Sequence, residues 1–141
     1  MTATALINID VDDVERAVAF YTKAFGLQIG RKLGPSIVEL LGAGSAIYLL
    51  EKAAGTEAGP ATTERRHYDR HWTPLHLDFV VADLDAAVKA ATAAGATLEG
   101  TPATHVWGKI AHMADPFGHG LCLVEFIGRG YDAIATGRGG G

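Results

Sequence analysis

Histidine side chains are the groups in this sequence best suited to acid–base or metal chemistry near neutral pH. His105 and His112 lie on either side of Trp107 in the strand-like segment 104–113. Their odd separation predicts that they point to opposite faces of one strand, so that only one of them faces a cavity. We keep His112 and Trp107 as candidate ligand-binding residues. His119 follows a turn, where we expect local hydrogen bonding.

His76 and Cys122 lie in two further strand-like segments. His76 begins the alternating segment 76–81, and Cys122 lies in the apolar run 120–124. For His76 two interpretations stay open, a ligand-binding imidazole or a strand residue held by a backbone or hydroxyl partner. For Cys122 we favour a buried, unreactive thiol, because no basic residue adjoins it in sequence to lower its pKa.

Cationic and aromatic side chains are concentrated in residues 65–72, whose sequence is Arg-Arg-His-Tyr-Asp-Arg-His-Trp. One interpretation is a lid, because aromatic faces stack on planar ligands and guanidinium groups bind carboxylate or phosphate. The other is a solvated connection that Tyr68 and Trp72 pin to the body of the protein. We favour the second interpretation.

The elements that must position these side chains occur twice. In the first half, a strand from Ala5 is followed by an aspartate cap, a helix that ends at Phe25 and a glycine stop. The same order returns seventy residues later, with Asp83 at the position of Asp13. Each helix is followed by three strand-like runs: 27–33, 36–41 and 45–51 in the first half, then 96–101, 104–113 and 119–126 in the second. Each half is therefore predicted to be a βαβββ module.

An internal duplication explains this order. Residues 41–51 align with residues 115–125, and two glycines and two glutamates coincide. Two copies of a supersecondary unit bury each other's open faces, whereas a solenoid needs at least about three. We predict a single domain over residues 1–127 and a Gly-rich tail over 128–141 with too little apolar content to order itself. Within the domain we expect module one at 4–52, a linker at 53–74 and module two at 75–127.

Bulk composition excludes several classes of protein. A formal charge of −4 lacks the broad basic field that nucleic-acid binding requires. One cysteine cannot form an intramolecular disulfide, which favours a reducing compartment. The N-terminus has no signal-peptide pattern, and no apolar run reaches the length of a membrane span. We therefore expect a cytoplasmic protein that binds neither nucleic acid nor membrane.

Two βαβββ copies, the helix end at 20–27 (Phe-Tyr-Thr-Lys-Ala-Phe-Gly-Leu) and the Asp-Pro-Phe-Gly-His turn at 115–119 together resemble the vicinal oxygen chelate superfamily. This superfamily includes glyoxalase I, bleomycin-resistance proteins and extradiol dioxygenases. The resemblance covers about residues 4–127. It implies an α+β fold in which two βαβββ modules form a cupped mixed β-sheet around a pocket.

The resemblance also implies where a metal would bind. In metal-dependent members each copy gives one ligand from the start of its first strand and one glutamate from its last strand. The corresponding positions here are Leu6, Tyr48, His76 and Cys122. Leucine has no donor and tyrosine is a weak one, whereas a catalytic site needs about three protein ligands. We therefore expect no stoichiometric metal in this position and no other cofactor.

Two glutamates near these positions do not restore the donor set. Glu51 and Glu125 each stand three residues beyond Tyr48 or Cys122. Odd spacing on a strand places them on the opposite face of the sheet.

Three functions remain open. The first is a metal-free protein that binds a small aromatic or amphipathic molecule in a cavity lined by Leu6, Tyr48, His76 and Cys122. The second is a metal-dependent lyase or dioxygenase of the same superfamily. The third is a metal-free acid–base enzyme, with His76 or His112 as base and Tyr48 as its acid or oxyanion partner. For all three we expect a homodimer, because an open apolar surface on the repeat would favour aggregation.

Overall fold

The computed structural model describes residues 1–137 and 139. The first half contains β1 (Ile7–Val11), α1 (Val14–Phe25), β2 (Gln28–Lys32), β3 (Ile37–Leu41) and β4 (Ile47–Glu51). The second half contains β5 (Leu77–Val80), α2 (Leu84–Ala94), β6 (Thr97–His105), β7 (Gly108–Ala114) and β8 (Gly120–Phe126), followed by a short 3₁₀ helix (Gly130–Ala133). Both halves have the order βαβββ, as the sequence predicts.

Each module forms a four-stranded mixed sheet. The strand orders are β1-β4-β3-β2 and β5-β8-β7-β6, so that corresponding strands occupy corresponding places. In both sheets the first strand pairs in parallel with the last, and the remaining pairs are antiparallel. Parallel strands cannot be joined by a tight turn and need a crossover connection. In each module this connection starts with the helix that follows the first strand. The predicted α+β fold with two modules is confirmed.

Aspartate side chains start both helices. The Asp13 carboxylate accepts a hydrogen bond from the Arg16 amide at 3.0 Å, and Asp83 accepts one from the Ala86 amide at 3.1 Å. Gly26 closes α1 with a φ of 67°, a left-handed conformation that favours glycine. The longer helix has 12 residues, and none in the described part of the chain has the length and apolar character to cross a membrane.

A glutamate at the end of each module's last strand holds the first turn of that module's helix. The Val14 amide donates to Glu51 at 2.9 Å, and the Leu84 amide donates to Glu125 at 2.8 Å. A carboxylate is stabilised there by the unpaired N–H groups and the helix dipole. Both glutamates therefore lie on the helix side of their sheets, as strand alternation predicts.

The core lies between the helices and the two sheets, and α1 packs against α2. The rings of Phe25 and Phe79 stack across the two modules, with centroids 4.0 Å apart. Nearby, the Tyr21 hydroxyl donates to the buried Asp115 carboxylate at 2.5 Å. The other Asp115 oxygen accepts from the Phe117 and His119 amides. This aspartate therefore shapes the turn before β8 and joins it to α1.

Residues 65–71 of the linker, called the strap below, bind both modules. Arg66 donates to Asp10 of β1 at 2.8 Å, and the Tyr68 hydroxyl donates to the Lys52 carbonyl at 2.5 Å. On the second module, Arg70 pairs with Glu99. Tyr68 thus pins the linker as expected. The expectation for Trp72 is wrong, because its side chain is 80% exposed.

The boundary between β6 and β7 differs from the predicted one. The sequence predicted one strand over 104–113, but His105 ends β6 and pairs with Gly108, the first residue of β7. The pairing shifts between Glu99 and Ala103, so that Pro102 is accommodated at an irregularity of an edge strand. His105 and His112 therefore lie on different strands. The prediction that they point to opposite faces of one strand is wrong, because it assumed a single strand.

The beginning of the tail is more ordered than its composition suggests. Tyr131 of the 3₁₀ helix packs against Trp107 and Phe126, with ring centroids 5.2 and 4.7 Å away. One aromatic side chain thus supplies the burial that the glycines lack. Residues 138, 140 and 141 of the predicted tail lie outside the described residues.

The Tyr21→Phe variant tests the bond between the modules. Removal of the hydroxyl leaves a buried carboxylate oxygen without its donor, so the free energy of unfolding should fall by about 1–3 kcal/mol in urea titrations. The matched control is Tyr131→Phe, at a residue that is 50% exposed; it should change stability by less than about 0.5 kcal/mol. Equal changes in both variants would argue against a special role for Tyr21.

Candidate active site: a groove and a polar pocket

Two cavities lie next to each other, and His76 lines both. The larger one, called the groove, has a volume of about 830 Å³ and lies between β1 and the segment 74–77 that leads into β5. The smaller one, called the polar pocket, has a volume of about 220 Å³ and is lined by residues of β6, β7 and β8 and by the end of the linker. Together they are the candidate site.

The walls of the groove are mainly apolar. Its apolar lining residues are Ala5, Leu6, Ile7, Ile9, Pro74, Leu75, Leu77 and Leu121. Leu6 is 62% exposed and Leu75 is 86% exposed. Because exposed apolar side chains grouped around a concavity mark binding surfaces, these two leucines suit contact with an apolar molecule. Polar groups of the groove include Asn8, His71 and His119.

His119 ties the two modules together at the groove. Its Nε2 lies 2.7 Å from the backbone oxygen of Asp10, a residue 109 positions earlier in the chain. The expectation of purely local hydrogen bonding is therefore wrong for this side chain, because the sequence does not reveal that β1 passes the turn before β8. The ring of His71 lies 5.2 Å from that of His119, so that both imidazoles line one end of the groove.

Three possible metal ligands meet at the polar pocket. His76 Nε2 lies 3.1 Å from Asp78 Oδ1, and the donor atoms of His76, Asp78 and Cys122 all lie within 4.8 Å of one another. His76 and Cys122 therefore point to the same face of the second sheet. Sequence reasoning missed Asp78, although its spacing of two from His76 puts both side chains on the same strand face.

The thiol of Cys122 is kept neutral by its surroundings. Cys122 is 5% exposed, and burial, with a smaller effect of Asp78, raises its pKa to about 11. A neutral thiol is a poor nucleophile at physiological pH. This supports the interpretation of Cys122 as unreactive toward electrophiles.

His112 faces the same pocket from the neighbouring strand. It lies opposite Cys122 in the β7–β8 pairing and opposite Glu99 in the β6–β7 pairing. Arg70 of the strap donates two hydrogen bonds to Glu99, at 2.7 and 2.9 Å, and thereby lowers the pKa of that carboxyl. The strap thus completes one wall of the pocket.

Tyr48 belongs to a separate polar cluster on the first sheet. Its hydroxyl donates to Glu39 at 2.7 Å, and Arg31 binds both Glu39 and the tyrosine oxygen. Hydrogen bonds from Arg31 are the main reason that the pKa of Glu39 falls to about 2. A side chain at Gly30 would collide with the Glu39 carboxylate. The sequence signal for this cluster was one carboxylate in the apolar strand 37–41.

The structure thus distributes the sequence-predicted residues over several places. Leu6 lines the groove, His76 lines both cavities, and His112 and Cys122 line the polar pocket. Tyr48 lines neither cavity. Trp107 also lines neither; it stacks on His105 with ring centroids 5.2 Å apart.

The four superfamily metal positions do not fit a metal in this chain. Leu6 offers no donor atom, and the Tyr48 hydroxyl is already bound to Glu39. His76 and Cys122 remain, and two protein ligands are fewer than a catalytic metal normally has. No chemistry is therefore derived through a metal at these four positions.

A model of the glyoxalase-like domain matches residues 6–124. The chain belongs to this family. Its glyoxalase-like domain is a member of the vicinal oxygen chelate superfamily, in agreement with the resemblance of its modules and of the turn at 115–119.

Relatives of this glyoxalase-like domain occur in actinobacteria. It is 32% identical over 115 residues to the uncharacterised protein Mb0911c of Mycobacterium bovis. This match covers 77% of the chain and 74% of Mb0911c. It is 31% identical over 133 residues to the anthracycline biosynthesis protein DnrV of Streptomyces peucetius. That match covers 93% of the chain but only 44% of DnrV.

Solved structures share the fold at lower identity. The fosfomycin resistance protein FosX of Listeria monocytogenes superposes with a TM-score of 0.68 at 18% identity, over 90% of the chain and 93% of FosX. At this identity the likeness concerns the fold alone.

The Glu39 ion pair makes stability depend on acid pH. The pKa of Glu39 is lowered from 4.5 to about 2 in the folded protein, so its stabilising effect is complete above pH 4.5 and is lost as the pH falls toward 2. Glu39→Gln should lower the melting temperature at neutral pH. Between pH 4.5 and 2 the melting temperature of this variant should fall less steeply than that of the wild type. Calorimetry measures the melting temperature against pH, and the control Glu64→Gln should show the same slope as the wild type. An equal slope in Glu39→Gln would contradict the assignment of this pH dependence to Glu39.

Proposed function

We propose that this glyoxalase-like domain binds a small aromatic or amphipathic molecule in the groove, using its own side chains and no metal at the four superfamily positions. The observation that carries the proposal is the groove itself, an apolar concavity between the two modules with exposed leucines at its edge. Its volume of about 830 Å³ lies within the range of roughly 300–1,000 Å³ typical of small-molecule sites.

A few polar groups are available to orient such a ligand. His71, His76 and His119 line the groove together with Asn8. Imidazoles donate or accept hydrogen bonds and pack against planar rings, so they suit an aromatic molecule that carries hydroxyl or carbonyl groups. The likeness to an anthracycline biosynthesis protein supports an aromatic ligand.

A titration with aromatic probes tests the groove. We expect 1-anilinonaphthalene-8-sulfonate or a hydroxylated anthraquinone to bind the wild-type protein in a buffer that contains EDTA. Leu6→Asp and Leu75→Asp should each raise the dissociation constant at least about tenfold, because each removes apolar contact area and adds a charge. Dye fluorescence and calorimetry measure both effects.

Leu33→Asp is the matched control for these variants. Leu33 is also an exposed leucine, at 46%, but it does not line the groove. Its affinity for the dye should equal that of the wild type. Equal weakening by all three substitutions, or no dye binding by the wild type, would reject the groove as the site.

We also propose that the protein is a homodimer. β5 is an edge strand of its sheet, and Val80 on this strand is 63% exposed and does not line the groove. Exposed apolar edge strands favour pairing with another chain, and a second copy with closed symmetry would cover Val80 without forming an open polymer.

Light scattering coupled to size exclusion tests the dimer. The chain has a mass of 14.8 kDa, so the expected mass is twice this value at micromolar concentrations. Val80→Lys should shift the population toward the monomer, whereas the exposed Val106→Lys, on the turn between β6 and β7, should leave the dimer intact. A monomeric wild type over the whole concentration range would exclude the dimer.

A further inference from the structure

The groove and the polar pocket adjoin along a shared set of residues. Four residues line both of them: Thr73, His76, Gly120 and Leu121. The walls of the groove are mainly apolar, whereas charged and hydrogen-bonding side chains from β6, β7 and the end of the linker line the polar pocket. One ligand can therefore place an apolar body in the groove and a polar group in the polar pocket.

The permanent charges at the polar pocket are unbalanced. Arg70 is the one permanent cation among the described residues that line it, and Glu99 already binds this guanidinium through two hydrogen bonds. Asp78 lies beside the pocket, with its Oδ1 3.1 Å from His76 Nε2, and an imidazole is not a permanent cation. Burial raises the pKa of the Cys122 thiol, and Asp78 and Glu99 raise it further. The pocket therefore has a negative potential, which favours a cation.

Exposed apolar side chains are concentrated at the same place. Apart from Met1, the most exposed large hydrophobic residues in the described part of the chain are Leu75, at 86%, and Trp72, at 80%. Leu75 lines the groove and Trp72 lines the polar pocket. Because exposed apolar groups gathered around a concavity mark binding surfaces, both residues point to a ligand. The face of an indole attracts ammonium groups more strongly than other aromatic rings do.

We propose that the polar pocket binds a basic amine carried by the aromatic or amphipathic molecule that lies in the groove. Asp78 and Glu99 supply the negative charge, and the ring of Trp72 covers the ammonium group. His76 lines both cavities and so lies where the two parts of the ligand join. This inference rests on the proposed function, because the aromatic body must be bound in the groove.

A matched pair of ligands tests the amine site. The molecules 1-naphthylmethylamine and 1-naphthalenemethanol have the same ring and the same length, and only the amine is charged at neutral pH. Calorimetric titrations of the full-length protein in low-salt buffer with EDTA should give the amine a dissociation constant roughly tenfold lower than that of the alcohol, because the indole and the partly exposed carboxylates both favour the ammonium. Salt at about 0.5 M should reduce this preference, because it screens exposed charges.

Two variants should lower the preference for the amine. Asp78→Asn removes a carboxylate with almost no change in shape, and it should reduce the ratio of the two dissociation constants about threefold. Trp72→Leu keeps an apolar side chain but removes the indole face, and it should weaken amine binding about two- to fivefold. Asp85→Asn is the matched control, because it removes the same charge from the exposed first turn of α2, outside both cavities. Its ratio should equal that of the wild type.

The outcomes separate the amine site from the groove itself. Equal affinity of the wild type for the amine and the alcohol would overturn the amine site and leave the groove proposal intact. A ratio that falls as much in Asp85→Asn as in Asp78→Asn would also overturn the amine site, because the preference would then come from the overall charge of the protein. Failure of the wild type to bind either naphthalene ligand or the aromatic dye would overturn the groove, and the amine site with it.

Discussion

The bond between a glutamate and the first turn of a helix sets the geometry of each module. Glu51 and Glu125 fix which face of the sheet the helix covers, because each accepts from the first amide of its own helix. Side chains alternate along a strand, so this choice also fixes the direction of Tyr48 and Cys122, three residues earlier. The chemistry of each sheet is thereby confined to the face away from its helix.

Contacts between the modules then decide which of these faces form a cavity. The Tyr21–Asp115 bond, the stacked rings of Phe25 and Phe79, and the contact of His119 with Asp10 join the halves from the core to the groove. The groove follows from this arrangement, since β1 and the approach to β5 come near each other without pairing. A polar bond inside an apolar core also favours one relative position of the modules over others.

Local patterns predicted the modules, caps and faces, because each depends on neighbouring residues. The aspartate caps follow from residue type and position, and the glutamate faces follow from strand parity. The polar clusters of the two sheets depend instead on which residues pair between neighbouring strands, and this register cannot be read from local sequence patterns. Asp78 gains its meaning only because it pairs with Cys122, and Glu39 only because Arg31 on the adjacent strand reaches it. The hairpin after His105 was missed because its turn residues, Val106 and Trp107, are of types that favour strands.

The strap makes the two copies of the repeat unequal. At Gly118 an added side chain would meet the Asp69 backbone oxygen, and at Gly120 it would meet the Arg70 guanidinium. In the first copy the position of Gly120 is occupied by Ala46, which carries a side chain, whereas the strap excludes one at Gly120. Gly44 has open space around it and favours glycine only because of its φ of 90°, whereas Gly118 is also blocked by the strap backbone. The two halves of a duplicated chain have therefore lost the freedom to exchange sequence.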